Sequence, residues 1–315
     1  MLNINNTEIS RLFVDGVEID NAYLNGGLIY SKVGAFTATY QIDDINEPLT
    51  LPVSKDYEVE WGDNVTTTTG NQHFYASIGV KTVKMFGLVD DFAFNNGGDK
   101  LKIRTIENWG GFVGLLSSLF NGCTLLGDVY PTSGVTISRG SAFRDCDSVN
   151  VDLTNTVWIG NPANSCFFRC DGNFTGLNTF LPIGNDVNGL NATFNNCNFN
   201  EDISYFDTSN VIDFRNIFAF NDVFNQDVSG WDFSNAGGIS GFMTGKSALN
   251  YDYQYYDNLL NKWASGAANG GLDFTKITNL TTNFGTIQYS SAGEAAHDSL
   301  VAQGLIITDG GQNAF

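Results

Sequence analysis

Residues 199–210 read FNEDISYFDTSN, and residues 224–235 read FNQDVSGWDFSN. The two stretches share Phe, Asn, Asp, Ser, Asp, Ser and Asn at an offset of 25, so the chain repeats itself. A shorter motif carries the period outward. Phe120-x-x-Cys123, Phe143-x-x-Cys146, Phe167-x-x-Cys170 and Phe194-x-x-Cys197 are followed in frame by Phe218-x-x-Asn221 and Phe242-x-x-Gly245. Successive Phe spacings are 23, 24, 27, 24 and 24. A unit of this size cannot hide its own apolar face, so neighbours must stack. The spacing therefore predicts a β-solenoid of ~24-residue repeats over 89–250, with short strands paired about 4.8 Å apart. Equivalent Phe rings are expected to stack in an internal ladder, with each Cys a small buried filler beside them.

Composition agrees with a packed, turn-rich β protein. Hydrophobic residues make up 42% of the 315, including 25 Phe and 12 Tyr, which excludes a disordered chain. Gly is abundant at 35 and Pro scarce at 5, which is turn chemistry without collagen or linker character. A net charge of −19 repels phosphate backbones and argues against nucleic acid as a partner. The longest apolar run, from Phe112 to Phe120, is too short to span a bilayer, so no membrane insertion is expected. The first residues have neither the basic nor the apolar region of a secretory leader, and the five cysteines are odd in number and widely spaced. We therefore expect synthesis in a cytoplasm, where the protein stays reduced unless something other than secretion carries it outside.

Three further regions flank the repeats. In residues 1–33, β-rich runs are separated by Asp15-Gly16 and Asn25-Gly26, dipeptides that favour two-residue hairpin turns, and a three-stranded meander is expected. Residues 34–88 alternate as half-buried strands over Phe36–Ile42, Tyr57–Trp61 and Lys81–Phe86, predicting a small β-sandwich. After Tyr251 the period stops, and residues 251–315 read as a small α/β cap. It has a helix over Tyr256–Ala264, a second opened by a capping box at Ser291–Glu294, and a final strand at 305–308.

These motifs carry resemblances. Residues 11–31, RLFVDGVEIDNAYLNGGLIYS, resemble the opening of phage tail and fibre proteins. Trp61-Gly62-Asp63-Asn64 followed by His73-Phe-Tyr-Ala-Ser-Ile-Gly79 and Thr82-Val-Lys resembles a PKD-type module, with Asn64 in place of the usual Gly. The F-x-x-C and F-N-x-D-[IV]-S repeats resemble the bacterial surface leucine-rich-repeat family of BspA type, as does the Asn108-Trp-Gly110 lead-in. The resemblances imply a mainly β, non-enzymatic virion component, a tail fibre, tail-tip protein or other adhesin. Residues 1–33 would dock on other virion proteins or trimerise, through Phe13, Asp15, Tyr23 and Tyr30. The solenoid would meet a bacterial surface glycan or protein. A purely structural virion subunit and a bacterial cell-surface adhesin are the alternatives.

Catalytic chemistry finds little support in the residues. Asp202, Asp207, Asp227 and Asp232 recur at equivalent positions, which favours a structural role over a catalytic pair. Gly241-Phe-Met-Thr-Gly245-Lys246-Ser247 nearly matches a phosphate loop but has Ser240 where the first Gly is required. His73 reads as a structural residue near a turn and His297 as solvated. No cofactor is implied; calcium on Asp145, Asp147, Asn150 and Asp152 is the one weak alternative, since no bidentate Glu follows at loop spacing. Aromatic residues interrupting the repeats or following them, Trp158, Tyr205, Tyr251 and Tyr253, are the ligand-binding candidates, with packing as the competing role.

Overall fold

The computed structural model describes residues 34–313, and in addition the backbone of six short strands between Asn3 and Ser31. Strands β1 (Asn3–Ile4) and β2 (Thr7–Glu8), β3 (Phe13–Val14) and β4 (Val17–Glu18), and β5 (Asn21–Leu24) and β6 (Gly27–Ser31) pair antiparallel. Among the described residues the pairings of this region are these three two-stranded ones, where a three-stranded meander was expected. The docking side chains expected at Phe13, Asp15, Tyr23 and Tyr30 lie outside the described residues.

The described part is mainly β. Strands β7 (Phe36–Ile42), β9 (Glu58–Glu60), β10 (Thr66–Thr67) and β12 (Gly79–Phe86) pair antiparallel in the order β10-β9-β12-β7. In β7 Phe36, Ala38, Tyr40 and Ile42 are buried at alternate positions, and Thr39 between them is buried as well, its hydroxyl bonded to that of Thr105. The second layer expected of a sandwich is only the two-residue pair β8 (Leu49–Thr50) with β11 (Gln72–His73). The main sheet instead runs on into the repeats. The other edge of β7 pairs with β13 (Ile103–Asn108), and β13 is followed in parallel by β15 (Asp128–Val129), β17 (Asn150–Asp152) and β19 (Asn173–Thr175).

Each parallel step brings one repeat onto the next. Ile106, Val129, Val151 and Phe174 are in register and buried, while Asn150 and Asp152 on either side of Val151 face solvent. A second parallel ladder joins β14 (Val113–Gly114), β16 (Thr136–Ser138) and β18 (Val157–Ile159). Beyond β19 the ladders shrink to single bridges, Gly189 to Asp213 to Gly238, yet backbone bonds still step from repeat to repeat. The Phe120, Phe143, Phe167, Phe194 and Phe218 amides each donate to a carbonyl of the following repeat, at 2.9–3.1 Å.

The interior is made of aromatic columns. Centroids along Phe120, Phe143, Phe167, Phe194 and Phe218 are 5.6, 5.9, 5.7 and 5.7 Å apart, with planes within 20° of parallel. The last ring, Phe242, turns to 77° against Phe218 because Trp263 of the cap packs against it at 5.3 Å. Two more columns run alongside: Phe174, Phe199 and Phe224, and then Phe180, Phe206 and Trp231. Cys123, Cys146, Cys170 and Cys197 are buried next to the first column. In the next repeat Asn221 takes the Cys place, and it stays buried by bonding the carbonyls of Phe194 and Phe199 and the amide of Phe224.

The last segment adds α1 (Tyr253–Ala264), β20 (Thr281–Asn283), α2 (Ser291–Ala302) and β21 (Ile306–Thr308). α1 begins three residues earlier than the sequence suggested, because the Asp252 carboxylate caps it by accepting the Gln254 N–H. Leu259, Leu260 and Trp263 are buried on its inner face. α2 is capped by Ser290 and not by a Ser291–Glu294 box. The Ser290 hydroxyl and amide are in turn held by the buried Asp257 carboxylate of α1, at 2.5 and 2.9 Å. The stacking also passes the point where the sequence period stops. The Met243 amide donates to Asn283, β20 pairs in parallel with β21, and Phe284 packs on Phe242 at 6.2 Å.

Candidate functional site

The recurring Phe-Asn dipeptide divides labour between inside and outside. Phe199 and Phe224 enter the core, and the exposed Asn200 and Asn225 that follow each accept a backbone N–H from the next level of the stack. Asn225 N donates to Asn200 Oδ1 at 2.7 Å, and Asp252 N donates to Asn225 Oδ1 at 2.8 Å. With each Oδ1 fixed by a backbone donor, the Nδ2 groups point away, and among the described residues neither has a protein partner. Tyr253, the first residue of α1, comes next and is 46% exposed.

Together these residues line an open groove of about 600 Å³ where the last repeats meet α1. Leu249 and Val223 contribute exposed apolar side chains, and Asp222 and Asp252 two carboxylates. Asp222 Oδ1 accepts from Asn250 at 3.3 Å and Asp252 Oδ1 from Gln254 N at 2.8 Å, which leaves one oxygen of each open. Among the described residues no Lys or Arg lines the groove. Lys246 lies beneath it, buried, with its ammonium bonded to the carbonyls of Asn221 and Phe224 and facing the Phe224 and Tyr251 rings. Burial pulls its pKa down to about 8. The near-match to a phosphate loop therefore has its lysine inside the core.

The four ligand-binding candidates separate by exposure. Trp158 is 8% exposed, because its register in β18 matches Ile137 of β16 and turns the indole onto Phe180 at 5.0 Å. Tyr251 is 2% exposed, packed inward with its hydroxyl donating to the Gln226 carbonyl. Both are largely buried, as the competing packing role expects, and Tyr251 also contributes to the groove lining. Tyr205 is half exposed but lies edge-on against Phe206, whereas Tyr251 and Tyr253 both line the groove, Tyr253 with its ring half exposed. Sequence reasoning missed Asn200 and Asn225, although their recurrence one residue after Phe199 and Phe224 was the available signal.

The recurring carboxylates are turn acceptors. Asp202 Oδ1 accepts the Ser204 amide at 2.9 Å, Asp207 that of Ser209 at 3.0 Å, Asp227 that of Ser229 at 2.8 Å and Asp232 that of Ser234 at 2.8 Å. The Ser209 hydroxyl and the Gly184 amide also hold the Asp207 carboxyl below the usual range. The calcium candidates are engaged separately: Asp145 pairs with Arg169, Asn150 donates to Asp128, and Asp152 accepts the Thr154 amide. Among the described residues no group of three or more His, Cys, Asp or Glu is arranged to hold a metal ion.

His73 stacks on Trp61 at 5.1 Å and bonds Asp63 at 2.7 Å, fixing the turn that follows Trp61. His297 departs from its expected solvation: α2 packs it on the Tyr289 ring at 4.4 Å, leaving its side chain 16% exposed. Burial pushes all five thiols well above their ordinary pKa.

Residues 164–283 match the model of a family described as "Mycoplasma protein of unknown function, DUF285". The match takes in the repeats containing Asn200 and Asn225, together with α1 and β20. No curated protein and no solved structure matches the chain.

Proposed function

We propose that this chain is a non-enzymatic recognition protein of a phage particle, in which a stacked-repeat scaffold meets a bacterial surface. In this reading residues 1–33 attach it to neighbouring virion proteins, consistent with their resemblance to tail and fibre openings. Residues 34–88 are a PKD-like spacer whose sheet is shared with the first repeat. Residues 89–250 form a leucine-rich-repeat-like solenoid closed by the α/β segment at 251–315. Virion localisation and the BspA-type kinship belong to the same proposal.

One observation carries the recognition reading. The acids that recur along the repeats are occupied in turns, whereas side-chain donors, carboxylate oxygens and an aromatic ring stand open together in a single groove. A concave surface with donors, acceptors and a ring side by side is suited to holding a ligand in one orientation. Fluorescently labelled full-length protein, titrated on a panel of bacterial strains, tests this directly. Saturable and strain-selective binding without release of oligosaccharides from the cell surface is the expected result. Steady release of sugar fragments contradicts the non-enzymatic part.

A further inference from the structure

We propose that the groove between Asn200, Asn225 and Tyr253 binds an uncharged oligosaccharide chain, a ligand class for the site that rests on the recognition reading above. The chemistry of the lining is selective. Asn200 and Asn225 present their Nδ2 donors one repeat apart, because each Oδ1 is held by the backbone amide of the next level. Adjacent levels of a β stack lie about 4.8 Å apart. The donors therefore repeat along the stack axis, which suits an extended polymer better than a compact solute.

The open oxygens of Asp222 and Asp252 accept hydroxyl protons, so donors and acceptors alternate as they do on a sugar edge. The half-exposed Tyr253 ring offers a flat apolar face to the C–H side of a pyranose. Charge excludes the alternatives. Two carboxylates, with no lining cation among the described residues, repel uronic acids, sialic acids and phosphate-containing polymers. The buried Lys246 does not offset this, since its ammonium is turned to the carbonyls of Asn221 and Phe224. A volume of about 600 Å³ falls in the range of small-molecule sites and admits a few sugar units.

The test uses the full chain against immobilised neutral oligosaccharides (gluco-, galacto-, manno- and N-acetylhexosamine series) and against hyaluronan and polygalacturonate. Two variants probe the groove. Tyr253→Ala removes the stacking face at an exposed position. Asn225→Asp keeps the Oδ1 that the Asp252 amide needs while replacing the donor with a carboxylate, and unchanged thermal midpoints confirm that both variants fold. We expect saturable binding to at least one neutral series, at least tenfold weaker in each variant, and no binding to the acidic polymers. Preference for an acidic polymer, or neutral binding untouched by both variants, overturns the assignment. So does a lack of binding to every neutral series. In that case binding of the same preparation to bacterial cells separates the two readings. If cells are bound, the groove assignment fails alone and a protein receptor becomes the better candidate; if they are not, the recognition reading fails with it.

Discussion

The rings of Phe143 and Phe167 stack with centroids 5.9 Å apart and planes 1° from parallel, although 24 residues separate them along the chain. Phe167 also meets Phe174 at 4.3 Å and Phe194 at 5.7 Å, so it joins two aromatic columns. Removing it leaves a cavity among the rings of Phe143, Trp158, Phe174, Phe180 and Phe194. Phe167→Ala is expected to cost about 3–5 kcal/mol of unfolding free energy in a denaturant titration.

Phe220 gives the opposite expectation. It is 57% exposed and has a φ of 56°, where the equivalent residues of earlier repeats are Gly122, Asp145, Arg169 and Asn196. A bulky residue in the left-handed region carries a backbone cost of about 1–2 kcal/mol that Asn largely avoids. Phe220→Asn should therefore leave the unfolding free energy unchanged or raise it by up to about 1 kcal/mol. A loss larger than 1 kcal/mol would show that the exposed ring packs more firmly than its accessibility indicates.

Lys246 makes stability depend on pH in the alkaline range. Its folded pKa is lowered to about 8 from an ordinary 10.5, so between these values the unfolded chain binds the proton that the folded chain has released. Stability contributed through this group thus rises as pH increases from about 8 to about 10.5, by at most about 3 kcal/mol, and is flat below 8. Lys246→Met keeps the length and apolar stem and removes the titration. The difference between wild-type and variant unfolding free energies, followed from pH 7 to 10, should show this slope. A flat difference would refute the assignment.

The five cysteines, all buried with thiol pKa values pushed upward, should resist alkylation. Iodoacetamide at pH 8, read by intact mass, should leave the native protein unmodified and label all five thiols in guanidinium. Rapid native labelling of any one of them would show that its repeat opens.

The repeats were legible because one residue type serves two purposes. Each Phe marks the period and fills the core, so counting along the chain also traces the aromatic column. Register was not legible. Trp158 looked like an interruption and proved to be the structural equivalent of Ile137, which only strand pairing reveals. The continuation of stacking to Phe284 was hidden because α1 intervenes and lengthens the interval after Phe242. The joining of β7 to β13 likewise depends on tertiary pairing, which local alternation does not encode. For the groove, Tyr253 was found by type, whereas Asn200 and Asn225 counted only as marks of the repeat. Their direction follows from the backbone amides that occupy their oxygens.

Equilibrium binding of labelled full-length protein to intact bacteria of many strains tests the central claim most directly. The account predicts saturable binding to a subset of strains, weakened at least tenfold by Tyr253→Ala in a protein of unchanged stability. Uniform, non-saturating adherence to every strain, or none to any of them, would contradict it.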